Sequence, residues 1–378
     1  MDESTQIAPE RADVLMRSII KRIATGPELS KDISRSEAGQ GMRLVLDGEV
    51  DPVQAGVFLI ALRMKRETDE EMKGILDALL AATQPSMAMV DDVVDIADPY
   101  DGFARSLPAA PFLAPLLAAC GVAAVSHGVE SMGPKFGVTH RQVLGAAGIA
   151  VDLTPAQAAE RLADPKIGWA YVDQRAFCPK LYALSDLRSL IVKRPSITTT
   201  EVLLRPIRGR LRTHLVTGFV HKPYSRIYAM LARCAGFDSA LIVRGVEGGV
   251  IPSLRQTGRA FYYRNGATKD ESAEFSPSQF GIDQPVLAPA LPSGDQRDGM
   301  DALPSAFEAN KVDVLKAAVR AGLDALAGEP GATRDSLICG AALCLWHLGR
   351  SASLESAAQE VRRVLDSGKT LEHLRCGA

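Results

Sequence analysis

The fold is decided by Val93-Val-Asp-Ile-Ala97, Asp98-Pro-Tyr-Asp-Gly102, an alanine- and leucine-rich run ending at Ala119, then Gly121 and Val122-Ala-Ala-Val125-Ser-His127-Gly128. Short apolar runs bounded by glycine, proline and aspartate read as buried strands, and the longer apolar run between them reads as a helix. The order strand, loop, helix, strand, loop, continued to Gly137, is a βαβ unit with parallel strands. Loops at the carboxyl ends of such strands are where α/β proteins usually hold anions, because free backbone N–H groups and helix N-termini converge there. Asp101, Gly102, Ser126, His127, Gly128 and Lys135 are therefore candidate ligand residues.

Upstream, residues 1–12 read as a mobile leader, and Val14, Leu15, Ile19 and Ile20 open a helix that should stop near Gly26-Pro27. Ser34 with Glu37 and Thr68 with Glu71 have capping-box spacing, and Asp51-Pro52 restarts a helix with proline in its first turn. Residues 13–86 are expected to form a small all-helical domain. Downstream, Thr154 with Gln157 starts another helix, and Ser239-Ala-Leu-Ile-Val243 and Arg259-Ala-Phe-Tyr-Tyr263 read as strands. Gln284 to about Pro304 reads as a linker, followed by helices from Gly331 onward. The expected architecture is α/β: the small helical domain, then residues 87–378 as a large domain with a mostly parallel central sheet and C-terminal helices. Residues 175–200 are candidates to pack on the helical domain.

The chain has 378 residues, 47% of them hydrophobic, and a net charge of −2, so overall charge gives no case for nucleic-acid or membrane partners. The six cysteines are scattered without a CxxC pair and read as buried free thiols in a reducing compartment. No apolar run approaches the ~18 residues of a membrane helix, so a cytoplasmic location is expected.

The motifs resemble the anthranilate phosphoribosyltransferase-like glycosyltransferases, the class IV phosphoribosyltransferase fold. Ser34-Arg-Ser-Glu37, Leu46-Asp-Gly-Glu-Val-Asp-Pro52-Val-Gln54 and Glu67-Thr-Asp-Glu-Glu71 follow that family's wording, as do the C-terminal helices, and the likeness runs from about Ile33 to Leu374. It implies a homodimer through the helical domain. The family carries Gly-Thr-Gly-Gly-Asp after the first strand and Lys-His-Gly-Asn-Arg after the second. Here those places hold Ala97-Asp-Pro-Tyr-Asp-Gly102 and Ser126-His-Gly-Val-Glu130. Pro99 offers no N–H, and Tyr100 puts a ring where glycines would admit a pyrophosphate. The family's magnesium-holding Asp-Glu pair aligns with Val250 and Ile251, which supply no oxygen donors. Glu247 reads as an exposed turn carboxylate, or as a single remaining metal ligand. Its His-Pro-Ala-Met histidine is replaced by Phe177, and in place of its paired acceptor arginines a single cation is available, Arg188 or else Lys193 or Arg194.

Between Arg188 and Arg226 stand nine cationic side chains against a single acid, Glu201. Arg194, Arg205, Arg208, Arg210, Arg212 and Lys222 are the candidate nucleic-acid contacts. The resemblance is closest to a motif-depleted subgroup with a sequence-independent nucleic-acid binder, whose Arg-x-Ser-x-x-Thr pattern matches Arg194, Ser196 and Thr199. Arg188, Arg194, Ser196 and Thr199 join the phosphate candidates. The expected ligand carries phosphate: nucleic acid (DNA or RNA) without sequence specificity as first choice, phosphoribosyl pyrophosphate or a similar small molecule as second. The alternative is an active phosphoribosyl transferase with a non-anthranilate acceptor. No cofactor is expected, with magnesium required only if transferase activity is retained.

Overall fold

The computed structural model describes residues 9–26, 28–292 and 304–378, which form two compact units. Residues 1–8 of the expected leader, Pro27 at the expected helix stop, and residues 293–303 of the expected linker lie outside the described residues.

One unit takes the chain through Thr83 and returns for Cys178–Leu204. It contains α1 (Pro9–Ile23), α2 (Arg35–Leu46), α3 (Pro52–Lys65) and α4 (Asp69–Ala82). The first helix thus begins at Pro9, inside the stretch read as leader, and Ala12 is already buried. Helix starts follow local chemistry: Ser34 and Glu37 satisfy each other's backbone N–H, Thr68 and Glu71 do the same, and Asp51 accepts from Val53 ahead of α3. Each such cap contributes about 1 kcal/mol. Phe58, Leu59, Leu62, Ile75 and Leu79 close the core of the unit, whereas Val57 and Ile60 are only half-buried.

The other unit takes Gln84–Phe177 and Arg205–Ala378. Its strands are β1 (Ser86–Met87), β2 (Asp92–Ala97), β3 (Ala124–Gly128), β4 (Trp169–Asp173), β5 (Ile207–Arg208), β6 (Arg212–Phe219), β7 (Ser239–Arg244), β8 (Gly258–Tyr263) and β9 (Glu271–Phe275). β1 pairs with β5, and the other seven form one sheet in the order β4-β3-β2-β6-β7-β8-β9. The pairs from β4 to β7 are parallel, and β8 and β9 close the sheet antiparallel.

Side chains alternate between the faces of a strand, and the sheet uses each face differently. Val94, Ile96, Val216, Leu241 and Val243 share one core with Leu337, Ile338 and Leu345 of the C-terminal helix Ala332–His347. Asp95 of β2 is paired in register with Val125 of β3, so Asp95 and His127 share the opposite face. Burial pushes the thiols of Cys120 and Cys344 up to about 12, which keeps them protonated. All six cysteines are free; of the thiols expected to be buried, Cys178, Cys339 and Cys344 are, Cys120 and Cys234 are half-buried, and Cys376 is exposed. No helix among the described residues is long and apolar enough to cross a membrane.

Candidate functional site

The carboxyl edge of the parallel strands holds most of the loop residues singled out by sequence. Asp95 Oδ1 lies 2.6 Å from His127 Nε2, and His127 Nδ1 lies 2.5 Å from the Tyr100 hydroxyl. A carboxylate only accepts, so Nε2 carries the proton and Nδ1 accepts from Tyr100. The three groups are at most 3% exposed, and the rings of Tyr100 and Phe177 stand edge-on to the imidazole. Both nitrogens of His127 are therefore engaged, and the ring has no free nitrogen for a phosphate.

The loop after β2 is tied down in the same way. Asp98 accepts from Val250 N–H at 2.8 Å through Oδ1 and meets His140 Nε2 at 2.7 Å through Oδ2. Gly102 has φ +72°, and a Cβ there would lie 2.6 Å from the Val138 carbonyl oxygen. At Gly218, near the end of β6, a Cβ would lie 1.9 Å from the carbonyl oxygen of Gly249. Only glycine permits such approaches of backbone to backbone.

The most informative residue of this edge is Glu247, in the turn after β7. Its side chain is 3% exposed, against the exposed carboxylate expected from sequence. Its oxygens accept the backbone N–H of Ala104 at 3.0 Å and of Arg105 at 2.9 Å, and the Ser106 hydroxyl at 2.9 Å. Lys135 Nζ stands 3.4 Å from Glu247 and 3.5 Å from Asp101, above the Phe103 ring. Two amides, a hydroxyl and an ammonium converging on one carboxylate make an anion cradle whose resident anion belongs to the protein. Glu247 holds φ +53°, an uncommon backbone state for a side-chain-bearing residue, and the four contacts offset its cost.

Of the other loop candidates, Ser126 is fully buried with its hydroxyl unpartnered among the described residues, Gly128 is buried, and Asp101 is 4% exposed. Arg188, Arg194, Ser196 and Thr199 belong to the helical unit. Arg188 is a correction to the sequence reading: its guanidinium is 2% exposed and meets Glu201 bidentately at 2.6 and 2.7 Å, so it serves as a buried structural pair. Ser196 and Thr199 are buried as well.

The basic stretch is also not the unopposed patch that its local sequence suggested. Arg210 pairs with Asp91, and Arg212 takes Asp92 with Nε at 2.7 Å and Nη2 at 2.9 Å. Arg205 donates to the Gly236 carbonyl and lies over the Phe237 ring, and burial lowers its pKa. Arg208 is half-buried, with Nε unpartnered among the described residues; Lys222 is exposed. The acids Asp91 and Asp92, distant in sequence, supply the missing countercharge.

Magnesium needs several oxygen donors around an open position. Val250 is a core residue, Ile251 packs against the same core, and the oxygens of Asp98 and Glu247 are already engaged. No group of three or more His, Cys, Asp or Glu among the described residues is placed to hold a metal ion. Val250 and Ile251 add no side-chain oxygen to this edge.

Comparison with known proteins agrees with the fold. A family profile described as the helical bundle domain of a glycosyl transferase family matches residues 17–83, and one described as its a/b domain matches residues 109–371. An anthranilate phosphoribosyltransferase of Rhodopseudomonas palustris (strain BisB18) is 27% identical over 363 residues, covering 95% of this chain and 96% of the relative. An uncharacterized protein of Aquifex aeolicus is 28% identical over 240 residues, 64% of this chain and 71% of its own length. Among solved structures, the Saccharomyces cerevisiae anthranilate phosphoribosyltransferase in complex with PRPP and Mg superposes with TM-score 0.71 at 14% identity, covering 96% of both chains. The Thermus thermophilus enzyme gives 0.71 at 21% identity, covering 96% of this chain and 97% of its own.

Proposed function

The chain belongs to the glycosyl transferase family defined by that helical bundle and a/b domain, and from this premise we propose that it is an anthranilate phosphoribosyltransferase-like protein that binds a small phosphate-bearing ligand without transferring phosphoribosyl to anthranilate. The observation that carries the reading is the Glu247 cradle. The amides of Ala104 and Arg105, with Ser106 and Lys135, are arranged to hold an anion. A phosphate competes with the Glu247 carboxylate for them. The relatives supply the ligand class, since one solved relative is in complex with PRPP and Mg. Val250 and Ile251 in place of metal-binding acids, and Arg188 committed to Glu201, speak against ordinary transfer.

Nucleic acid, ranked first from sequence, becomes the second reading. Its support is the exposed set Arg210, Arg212 and Lys222, whose surface ion pairs are weak enough to exchange a carboxylate for a phosphate. The homodimer implied by the resemblance remains part of the proposal, as does a cytoplasmic location. The test is calorimetric titration with phosphoribosyl pyrophosphate and with single-stranded DNA at several salt concentrations, followed by an anthranilate turnover assay with magnesium. The reading expects heat with phosphoribosyl pyrophosphate, weaker and strongly salt-dependent binding of DNA, and turnover at background. Turnover abolished by a chelator, or no binding of phosphoribosyl pyrophosphate, overturns it.

A further inference from the structure

The sheet has a second polar edge, opposite the Glu247 cradle. At the amino ends of β2, β3, β6 and β7 a cavity of about 790 Å³ opens, within the size range of small-molecule sites. It exists because β8 runs antiparallel to β7, which returns Arg264 to this edge, and because the helix Ala332–His347 ends here. His214 and Ser239 are register partners on adjacent parallel strands, so their side chains project from the same face.

A row of hydrogen bonds crosses the wall. Asp92 Oδ1 lies 3.3 Å from His214 Nε2, His214 Nδ1 lies 2.8 Å from Ser239 Oγ, and Ser239 Oγ lies 2.9 Å from His347 Nε2. With the carboxylate accepting at one end, each tautomer follows: His214 donates from Nε2 and accepts the Ser239 proton at Nδ1, and His347 donates from Nε2 to Ser239. His347 Nδ1 is left as a buried acceptor with no partner among the described residues, on a ring only 1% exposed. Burial holds both imidazoles below their ordinary pKa, His347 down to about 3, so they are neutral at physiological pH.

The charge of the cavity is therefore set by arginines and aspartates. Arg212, Arg264 and Arg350 line it together with Asp91 and Asp92, and Arg210 neutralises Asp91. These three guanidinium groups and two carboxylates, with Asp91 paired to Arg210, leave the lining net positive, which suits an anion. Arg264 donates from Nε and Nη2 to the carbonyls of His347 and Trp346 and lies over the rings of Tyr262 and Trp346. Its Nη1, like Nη1 of Arg212, has no partner among the described residues. Arg350 is exposed. Val122, Trp346 and Leu348 add apolar wall.

We propose that this amino-edge cavity is a second ligand site, taking a small phosphate monoester with an apolar or aromatic body. A phosphate monoester is close to a dianion at neutral pH, and guanidinium forks match its oxygens. Arg350, Arg264 and Arg212 hold the phosphate, and Trp346 and Leu348 contact the body.

The experiment titrates phenyl phosphate, inorganic phosphate and phenol into the full chain, read by calorimetry and by tryptophan fluorescence in a Trp169→Phe background, which leaves Trp346 as the only reporter. Phenyl phosphate is expected to saturate, to bind more tightly than either half, and to shift the Trp346 signal. Arg350→Glu should weaken the binding read at Trp346 at least about tenfold, while Glu247→Gln, whose own effect falls on the opposite edge, should leave the Trp346 titration unchanged. Because Arg350 is exposed, the variant should fold, which its thermal melt checks. Absence of saturable binding, binding that survives Arg350→Glu, or binding that changes only with Glu247→Gln overturns the proposal.

Discussion

The two edges of the central sheet are built from similar groups and differ in how those groups are satisfied. At the carboxyl edge, Asp95, His127 and Tyr100 form a fully buried row that uses both ring nitrogens and leaves Asp95 Oδ2 unpartnered among the described residues, and the amides of Ala104 and Arg105 are filled by Glu247. At the amino edge, the row from Asp92 through His214 and Ser239 to His347 ends on an unpartnered nitrogen beside a cavity with partly used guanidinium groups. In parallel α/β sheets the carboxyl edge is the usual place for ligands. Here that edge fills its anion cradle with its own carboxylate, while the partly used guanidinium groups stand beside a cavity at the other. The lesson is that a loop's position in a fold fixes where a ligand can be held, while the side chains decide whether the place is already taken.

The largest contrast should appear in stability. His127→Ala leaves the Asp95 carboxylate and the Tyr100 hydroxyl buried without the partner between them, which should cost about 3–5 kcal/mol in denaturant unfolding. His214→Ala leaves Asp92 with Arg212 and Ser239 with His347, so about half that loss is expected. Equal losses would break the distinction between a row sealed in the core and a row along a cavity wall.

The pH profile sharpens it. His347 titrates at about 3 in the fold against an ordinary 6.5, so between these values the unfolded chain binds more protons than the folded one. Its contribution is complete above about pH 6.5 and declines as pH falls toward 3. Glu37, held at about 2 by Arg22, loses its own contribution only below about pH 4.5, so the window from 4.5 to 6.5 reports on the histidine. Unfolding of wild type and His347→Gln should diverge most at the upper end of that window, with the difference shrinking by about 2–3 kcal/mol across it. A constant difference would contradict the burial argument.

The smallest effect belongs to the exposed pairs. Arg210 and Asp91 have side chains 55% and 51% exposed, so Arg210→Gln should change stability by less than about 1 kcal/mol. A larger loss, measured by the same unfolding experiment, would mean that this pair organises the amino edge rather than decorating it.

Much of this was legible in the sequence where the cause is local. The capping pairs Ser34 with Glu37, Thr68 with Glu71 and Thr154 with Gln157 lie three residues apart and were read directly. The βαβ unit followed from two apolar runs, with strands where they were expected and the helix condensed to Leu113–Ala119 behind a short turn at Ala110–Phe112. What stayed hidden depends on strand order. Asp91 is 119 residues from Arg210 and Glu247 is 143 from Ala104, so neither partner could be assigned before β2 was set beside β6. One signal was present: the doublet Asp91-Asp92 enters β2 as Arg210-Leu-Arg212 enters β6, and parallel neighbours bring such runs together. The amino-edge cavity left no motif at all, because its residues come from four strands and a helix end.

The central claim is that the amides of Ala104 and Arg105 form an anion cradle closed by Glu247, and the affinity of inorganic pyrophosphate for wild type and for Glu247→Ala tests it most directly. Removing the resident carboxylate deletes both the competitor and a like charge, so binding should tighten by about tenfold or more, an effect that weakens as salt is raised. Unchanged or weaker binding in a variant that still folds would contradict the account.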